Sequence, residues 1–181
     1  MTARAEGIGA DALLIVTPYY IRPPQQGLHD YFVRLGALTS LPWMVYHIPG
    51  RAAVSIKPET LAGLAQASPN LVGVKHAVND LDFVTDALTR LGMDFRIFCG
   101  LESLSFPMLA VGGARLMNAV GNLAPARVAR LCDEMERGNL KAAREIHFGL
   151  FELNKAIFLS TNPIPLKYMM KRWSPLSCAS L

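Results

Sequence analysis

The chain has 181 residues, 51% of them hydrophobic and only 18% charged. That balance excludes a polar disordered segment and suits one ordinary domain with a buried core. No uninterrupted apolar run approaches the length that spans a bilayer, so no membrane partner is expected.

The net charge of +4 is unevenly placed. Nine basic residues face nine acidic ones before residue 126, and nine face five from there on. The excess lies in the last third with no recognition motif beside it, so it reads as solvated helix faces or a subunit contact and not as a nucleic-acid site. The start, MTARAEGIGAD, lacks the apolar segment of a secretory signal. Cys99, Cys132 and Cys178 show neither metal nor redox spacing, and their odd number fits a reducing cytoplasm.

In chain order, residues 2–10 read as the end of a helix closed by glycines 7 and 9. ALLIV (12–16) is an apolar strand ended by Thr17-Pro18-Tyr19-Tyr20, and 28–38 has helical apolar spacing. WMVYHI (43–48) stops at Pro49-Gly50-Arg51, and Pro58 opens a helix to about Ala67. The strand at 71–75 ends in Lys75, and a helix follows over 81–91. FRIFCG (95–100) is the next strand, 103–113 a short helix despite Pro107, and 114–122 a last strand. From Pro125 the chain is helical, over 126–137, 139–159 and 163–172.

Strands and helices alternating in this way give a parallel α/β sheet, either doubly wound or closed into a barrel. A nucleotide-binding open sheet would show a glycine-rich turn after its first strand. Here that strand ends in Thr-Pro-Tyr-Tyr. What the strands share is polar chemistry at their C-terminal ends: Tyr20, Tyr46 with Arg51, Lys75, Glu102, Asn118 and Asn122. Reactive groups converging at that end point to a barrel.

Lys75 is the candidate nucleophile among these groups. An ammonium pushed toward an apolar interior loses hydration, its pKa falls, and the free amine can attack a ketone to form a Schiff base. On this stretch alone, a lysine that ends its strand and snorkels to water is the plainer reading. Equally plain readings fit the other candidates taken singly. Tyr46 would be a strand aromatic, Tyr19 and Tyr20 packing at a strand end, Arg51 a surface arginine, and His76 a solvated loop histidine.

VTPYY (16–20), VYHIPGR (45–51), GVK (73–75), Gly100 and NPIPLK (162–167) occur in one order over residues 5–172. Together they resemble the dihydrodipicolinate synthase / N-acetylneuraminate lyase family of class I aldolases. The resemblance implies a TIM-type (β/α)8 barrel, with residues 1–125 supplying strands four to eight and 126–181 a C-terminal helical extension. It implies a lyase of lysine biosynthesis that condenses pyruvate with aspartate semialdehyde, or else a 2-keto-3-deoxy acid or sugar-acid aldolase or dehydratase. Lys75 matches the Schiff-base lysine, Tyr46 the proton-shuttling tyrosine, and Tyr20 the residue that reaches into the neighbour's site across a dimer. Arg51 matches the arginine that meets the aldehyde's carboxylate, and it favours the synthase. Met117 falls where a backbone carbonyl lies near pyruvate. Neither metal nor cofactor is implied; a cytoplasmic homo-oligomer, dimer or tetramer, is.

The departures set further expectations. His76 replaces the usual acidic residue after the lysine, and PGRAA replaces Pro-Ser-Arg-Thr-Gly. Three strands of the family pattern would precede residue 1, including the Gly-Thr-Thr-Gly-Glu segment that binds pyruvate, and the tail WSPLSCASL departs from the pattern after Arg172. The sequence-level alternative to an aldolase is therefore an inactive fragment, with the strands at 12–16 and 115–120 as open, association-prone edges.

Overall fold

The computed structural model describes residues 2–173; the tail reading beyond Trp173, with Cys178, falls outside them. After α1 (Thr2–Gly7), strands and helices alternate: β1 (Leu13–Val16), α2 (Gln25–Gly36), β2 (Trp43–His47), the one-turn α3 (Pro49–Ala52) and α4 (Pro58–Ala67). β3 (Leu71–His76), α5 (Leu81–Leu91), β4 (Arg96–Cys99), α6 (Ser105–Ala110) and β5 (Arg115–Leu116) continue the pattern. Four helices follow, α7 (Pro125–Glu136), α8 (Leu140–Gly149), α9 (Phe151–Ala156) and α10 (Ile164–Trp173).

All strands pair in parallel in the order β1-β2-β3-β4-β5. A doubly wound sheet reverses its order at a switch point, whereas a barrel wall adds each strand beside the last. The sequential order is that of a barrel wall, with β1 and β5 outermost. Among the described residues no helix is long and apolar enough to cross a membrane.

Local chemistry sets the element ends. Pro58 takes the first turn of α4, where its missing N–H is not needed. Asp80 caps α5 by accepting from the Phe83 N–H at 2.9 Å, and Asn139 caps α8 by accepting from the Ala142 N–H at 3.3 Å.

The strand period of two divides the sheet into faces. In β2, Trp43, Val45 and His47 are buried while Met44 and Tyr46 are half-buried. The buried face meets Leu28 and Phe32 of α2, Leu61 and Leu64 of α4, and Val84 of α5 in one apolar cluster. Each side chain of that size contributes about 1.5–3 kcal/mol on burial. Trp43 anchors it, stacked on Phe32 at 5.8 Å with its indole N–H donating to Asn70 Oδ1 at 3.0 Å. A smaller cluster of Val120, Leu150, Ile157 and Leu166 joins the C-terminal helices to the segment after β5.

Two expected elements differ. The strand expected over 114–122 ends at Leu116 and gives way to a 3-10 turn over Val120–Asn122. The N–H groups of Ala119 and Val120 donate to the Glu102 carboxylate and leave no ladder to continue. The helix expected over 139–159 breaks between α8 and α9 beside Gly149, a residue that weakens a helix by about 1 kcal/mol relative to alanine. The guanidinium of Arg127 lies where a Cβ at Gly149 would stand.

β3 and β4 approach so closely that a Cβ on Gly73 would collide with the Arg96 carbonyl oxygen. Backbone on both sides leaves nothing to give way. Gly73→Ala is expected to cost about 3 kcal/mol or to prevent folding, read from the urea midpoint; an unchanged midpoint would show that the strands can part freely.

Candidate active site

Tyr46 and Lys75 occupy paired positions at the C-terminal ends of β2 and β3. The period of two turns both side chains to the face away from the apolar cluster. The Lys75 ammonium nitrogen lies 4.3 Å from the centroid of the Tyr46 ring. Both line a cleft of about 910 Å³ whose walls include Tyr19, Arg51, Gly100, Glu102, Met117 and Asn118. Gly100 makes room for the lysine: a Cβ there would stand 2.7 Å from Ala77 Cβ and 3.1 Å from Lys75 Cε.

Burial pushes the Lys75 amine below the ordinary lysine value, and the nearby Glu102 carboxylate partly opposes the shift. Burial pushes the Tyr46 phenol up, with Arg51 opposing and Glu102 adding to the rise. Burial thus favours the neutral form of both groups.

Glu102 is 3% exposed. Its Oε1 accepts from the N–H groups of Ala119 at 2.6 Å and Val120 at 3.1 Å, which fixes the turn after β5. Its Oε2 is buried with no partner among the described residues, and so is Oδ1 of Asn118, whose amide donates to Ser105 Oγ at 3.2 Å. The sequence marks Glu102 and Asn118 only as polar groups at strand ends. A carboxylate spaced before a glycine-containing turn is the signal that could have identified the cap.

The other expected residues divide. Arg51, in α3, lines the cleft and donates from Nη2 to the Asn162 carbonyl at 2.8 Å, so the mouth is tied to the segment before α10. Met117 lines the cleft and its N–H donates to the Cys99 carbonyl at 2.8 Å. Tyr20 stands apart from these: it is 90% exposed with φ at 74°, while Tyr19 lines the cleft of its own chain.

His76 corrects its expectation. It is fully buried and not solvated, because β3 runs through it and the strand period turns residue 76 into the helix layer. There it stacks on Phe83 at 4.4 Å and meets His47, Nδ1 to Nδ1, at 3.1 Å. His47 belongs to the same buried arrangement and was not singled out from the sequence. Paired register at Tyr46 and Lys75 already implies paired register one residue on.

Burial lowers the pKa of His47 to about 3 and that of His76 to about 4. Both are neutral in the fold and protonate near pH 6.5 once unfolded. The unfolded chain therefore binds more protons below pH 6.5, and stability contributed by the neutral pair is lost as pH falls. Unfolding free energy is expected to drop between about pH 6.5 and pH 4.5, above the range where most carboxylates titrate. A flat urea midpoint over that interval would contradict the buried neutral pair.

A family model described as the dihydrodipicolinate synthetase family matches residues 1–175. The 4-hydroxy-tetrahydrodipicolinate synthase of Thermus thermophilus is 42% identical over 97% of this chain and 61% of its own length. The Thermotoga neapolitana enzyme of that name is 42% identical over 92% of this chain and 58% of its own. Crystal structures of dihydrodipicolinate synthase from Aquifex aeolicus (36% identical) and Thermotoga maritima (37% identical) both superpose with a TM-score of 0.91. They cover 93% and 94% of this chain, and the chain covers 58% and 59% of them. The sheet is thus part of a (β/α) barrel, and the chain spans about three fifths of the length of the relatives it matches.

Proposed function

The chain belongs to the dihydrodipicolinate synthetase family, and we propose that it carries the Schiff-base half of a class I aldolase site. The observation that carries the reading is the half-buried Lys75 amine held against the Tyr46 ring at the C-terminal end of the strands.

Pyruvate is the first substrate in this reading. The free amine of Lys75 adds to the ketone carbon, and the carbinolamine loses water to leave an iminium ion. The iminium withdraws electrons, so the phenolate left when Tyr46 protonates the carbinolamine takes a proton from the adjacent methyl carbon, and an enamine forms. The enamine carbon then bonds to an aldehyde carbon, and the aldehyde oxygen takes a proton. Tyr46, kept protonated by its burial, supplies protons to the carbinolamine and the aldol oxygen. Water returns Lys75 to the free amine.

The aldehyde in this reading is aspartate semialdehyde, the choice that the relatives' name as synthases supports. A guanidinium suits its carboxylate because the planar fork offers two donors and keeps its charge, and Arg51 stands at the mouth with one nitrogen already anchored. The Met117 carbonyl contributes near pyruvate, and the exposed Tyr20 reaches toward a second copy of the chain in a cytoplasmic homo-oligomer. One structural neighbour, 37% identical, is a monomeric dihydrodipicolinate synthase variant.

Pyruvate with sodium borohydride is expected to add a stable mass to the peptide containing Lys75. Lys75→Ala abolishes it, whereas Tyr46→Phe slows trapping by about 10²–10⁴ yet leaves some adduct. No adduct on the folded chain would overturn the Schiff-base reading, and equal loss in both variants would overturn the division of roles. For turnover, Arg51→Ala is expected to raise the KM for the aldehyde more than that for pyruvate; equal rises would make the arginine a structural residue.

A further inference from the structure

Behind Lys75 and Tyr46, on the opposite face of the sheet, lies a second pair that the chemistry does not touch. His47 and His76 are paired across β2 and β3, one residue beyond Tyr46 and Lys75. Their Nδ1 atoms are 3.1 Å apart, a contact that requires one proton and one lone pair.

The neighbours decide which ring holds that proton. His76 Nε2 lies 3.0 Å from the Asp80 carbonyl oxygen, which can only accept, so Nε2 carries the hydrogen. A neutral His76 then has only a lone pair on Nδ1, and His47 donates from its own Nδ1. That leaves His47 Nε2 to accept from the Ser55 hydroxyl at 2.8 Å. The Ser55 carbonyl accepts from the Gln25 amide at 2.8 Å, and Gln25 Oε1 accepts from the Lys57 N–H and the Thr60 hydroxyl. One directed set of bonds thus runs from α2, through the segment after Arg51, across both strands to the start of α5. The charged group facing the pair is the Asp80 carboxylate, whose Oδ1 is taken by the Phe83 N–H.

We propose that His47 and His76 are positioning residues: the directed relay Ser55–His47–His76–Asp80 locks the ends of β2 and β3 and thereby holds the Tyr46 phenol against the Lys75 amine. Apolar side chains could fill the same space, but they would set no direction and would tolerate sliding. The relay breaks if either strand moves by a fraction of a residue, because both rings are bonded at two points.

The proposal rests on the Schiff-base reading only for its kinetic test. In the full chain labelled with ¹⁵N-histidine, His47 is expected as the Nδ1–H form and His76 as the Nε2–H form, with a coupling between the two Nδ1 nuclei. His47 found in the Nε2–H form would overturn the relay without any variant. His76→Asn keeps an acceptor near the position of Nδ1, whereas His76→Leu removes it.

The pH profile of Lys75 acylation by acetic anhydride, which needs no pyruvate, is expected to shift toward that of an ordinary lysine in His76→Leu. It is expected to stay at the wild-type position in His76→Asn. Borohydride trapping of pyruvate should slow by about a hundredfold in the leucine variant, the cost of a misplacement of about 1 Å, and be rescued by asparagine. Identical acylation profiles in wild type and a folded His76→Leu would overturn the proposal. A shifted profile in a chain that traps no pyruvate would instead support the relay and overturn the Schiff-base reading.

Discussion

The register of β2 against β3 is the constraint on which the cleft depends. It sets Tyr46 beside Lys75 on one face and His47 beside His76 on the other. Because side chains alternate with a period of two, a slip of one residue would exchange the faces. The ammonium would enter the layer of Val74, Phe83 and Val84, and the imidazoles would face the cleft. Burial of Trp43, Val45 and Val74 fixes the register energetically, since exposing such side chains costs about 1.5–3 kcal/mol each. The polar pairs exploit a choice that the apolar residues make. Gly73 allows β4 to close up behind that pair, and Gly100 leaves the volume in which the lysine lies.

What the sequence made legible was local. Lys75 ends an apolar run, Tyr46 stands in a strand before a proline-glycine turn, and Arg51 follows that turn, so each could be placed at the C-terminal end of its strand. The cleft gathers all three with Met117. What escaped depended on partners far along the chain or on one-residue boundaries. A strand that ends at Lys75 leaves His76 in a solvated loop; one more strand residue buries it against a histidine 29 positions away. Glu102 accepts from backbone groups 17 and 18 positions later, and its capping shortens β5 in a way that no apolar pattern within 114–122 could reveal. Tyr20 lies in a motif that names a role but not a direction; its φ is left-handed and it points to solvent, while Tyr19, itself 69% exposed, borders the cleft.

The C-terminal helices shape the mouth of the cleft. Arg115 of β5 pairs with Asp133 at 3.4 Å and Glu136 at 2.7 Å on α7, but these groups are exposed and each such pair is worth no more than about 1 kcal/mol. The apolar cluster of Val120, Leu150, Ile157 and Leu166 is the stronger fastening. It sets the height of the segment that carries the Asn162 carbonyl, and hence the point from which Arg51 is held. An arginine on a short helix would otherwise sweep a wide arc. With one nitrogen bonded to backbone, the guanidinium keeps its position and still has donors to offer.

Burial does to Lys75 and Tyr46 what neither could do alone. In water a lysine amine and a tyrosine phenol both titrate near about pH 10. At any pH where the amine were substantially free, the phenol would be losing its proton, so a nucleophile and a proton donor would rarely coexist. The cleft separates them: loss of hydration lowers the lysine and raises the tyrosine. Both displacements run in the direction that favours a neutral amine beside a neutral phenol. Glu102 tempers the lysine shift and reinforces the tyrosine shift, while Arg51 opposes the latter from the mouth. A cleft of this kind needs no unusual side chain, only two ordinary ones placed on the same face of two strands and kept partly dry.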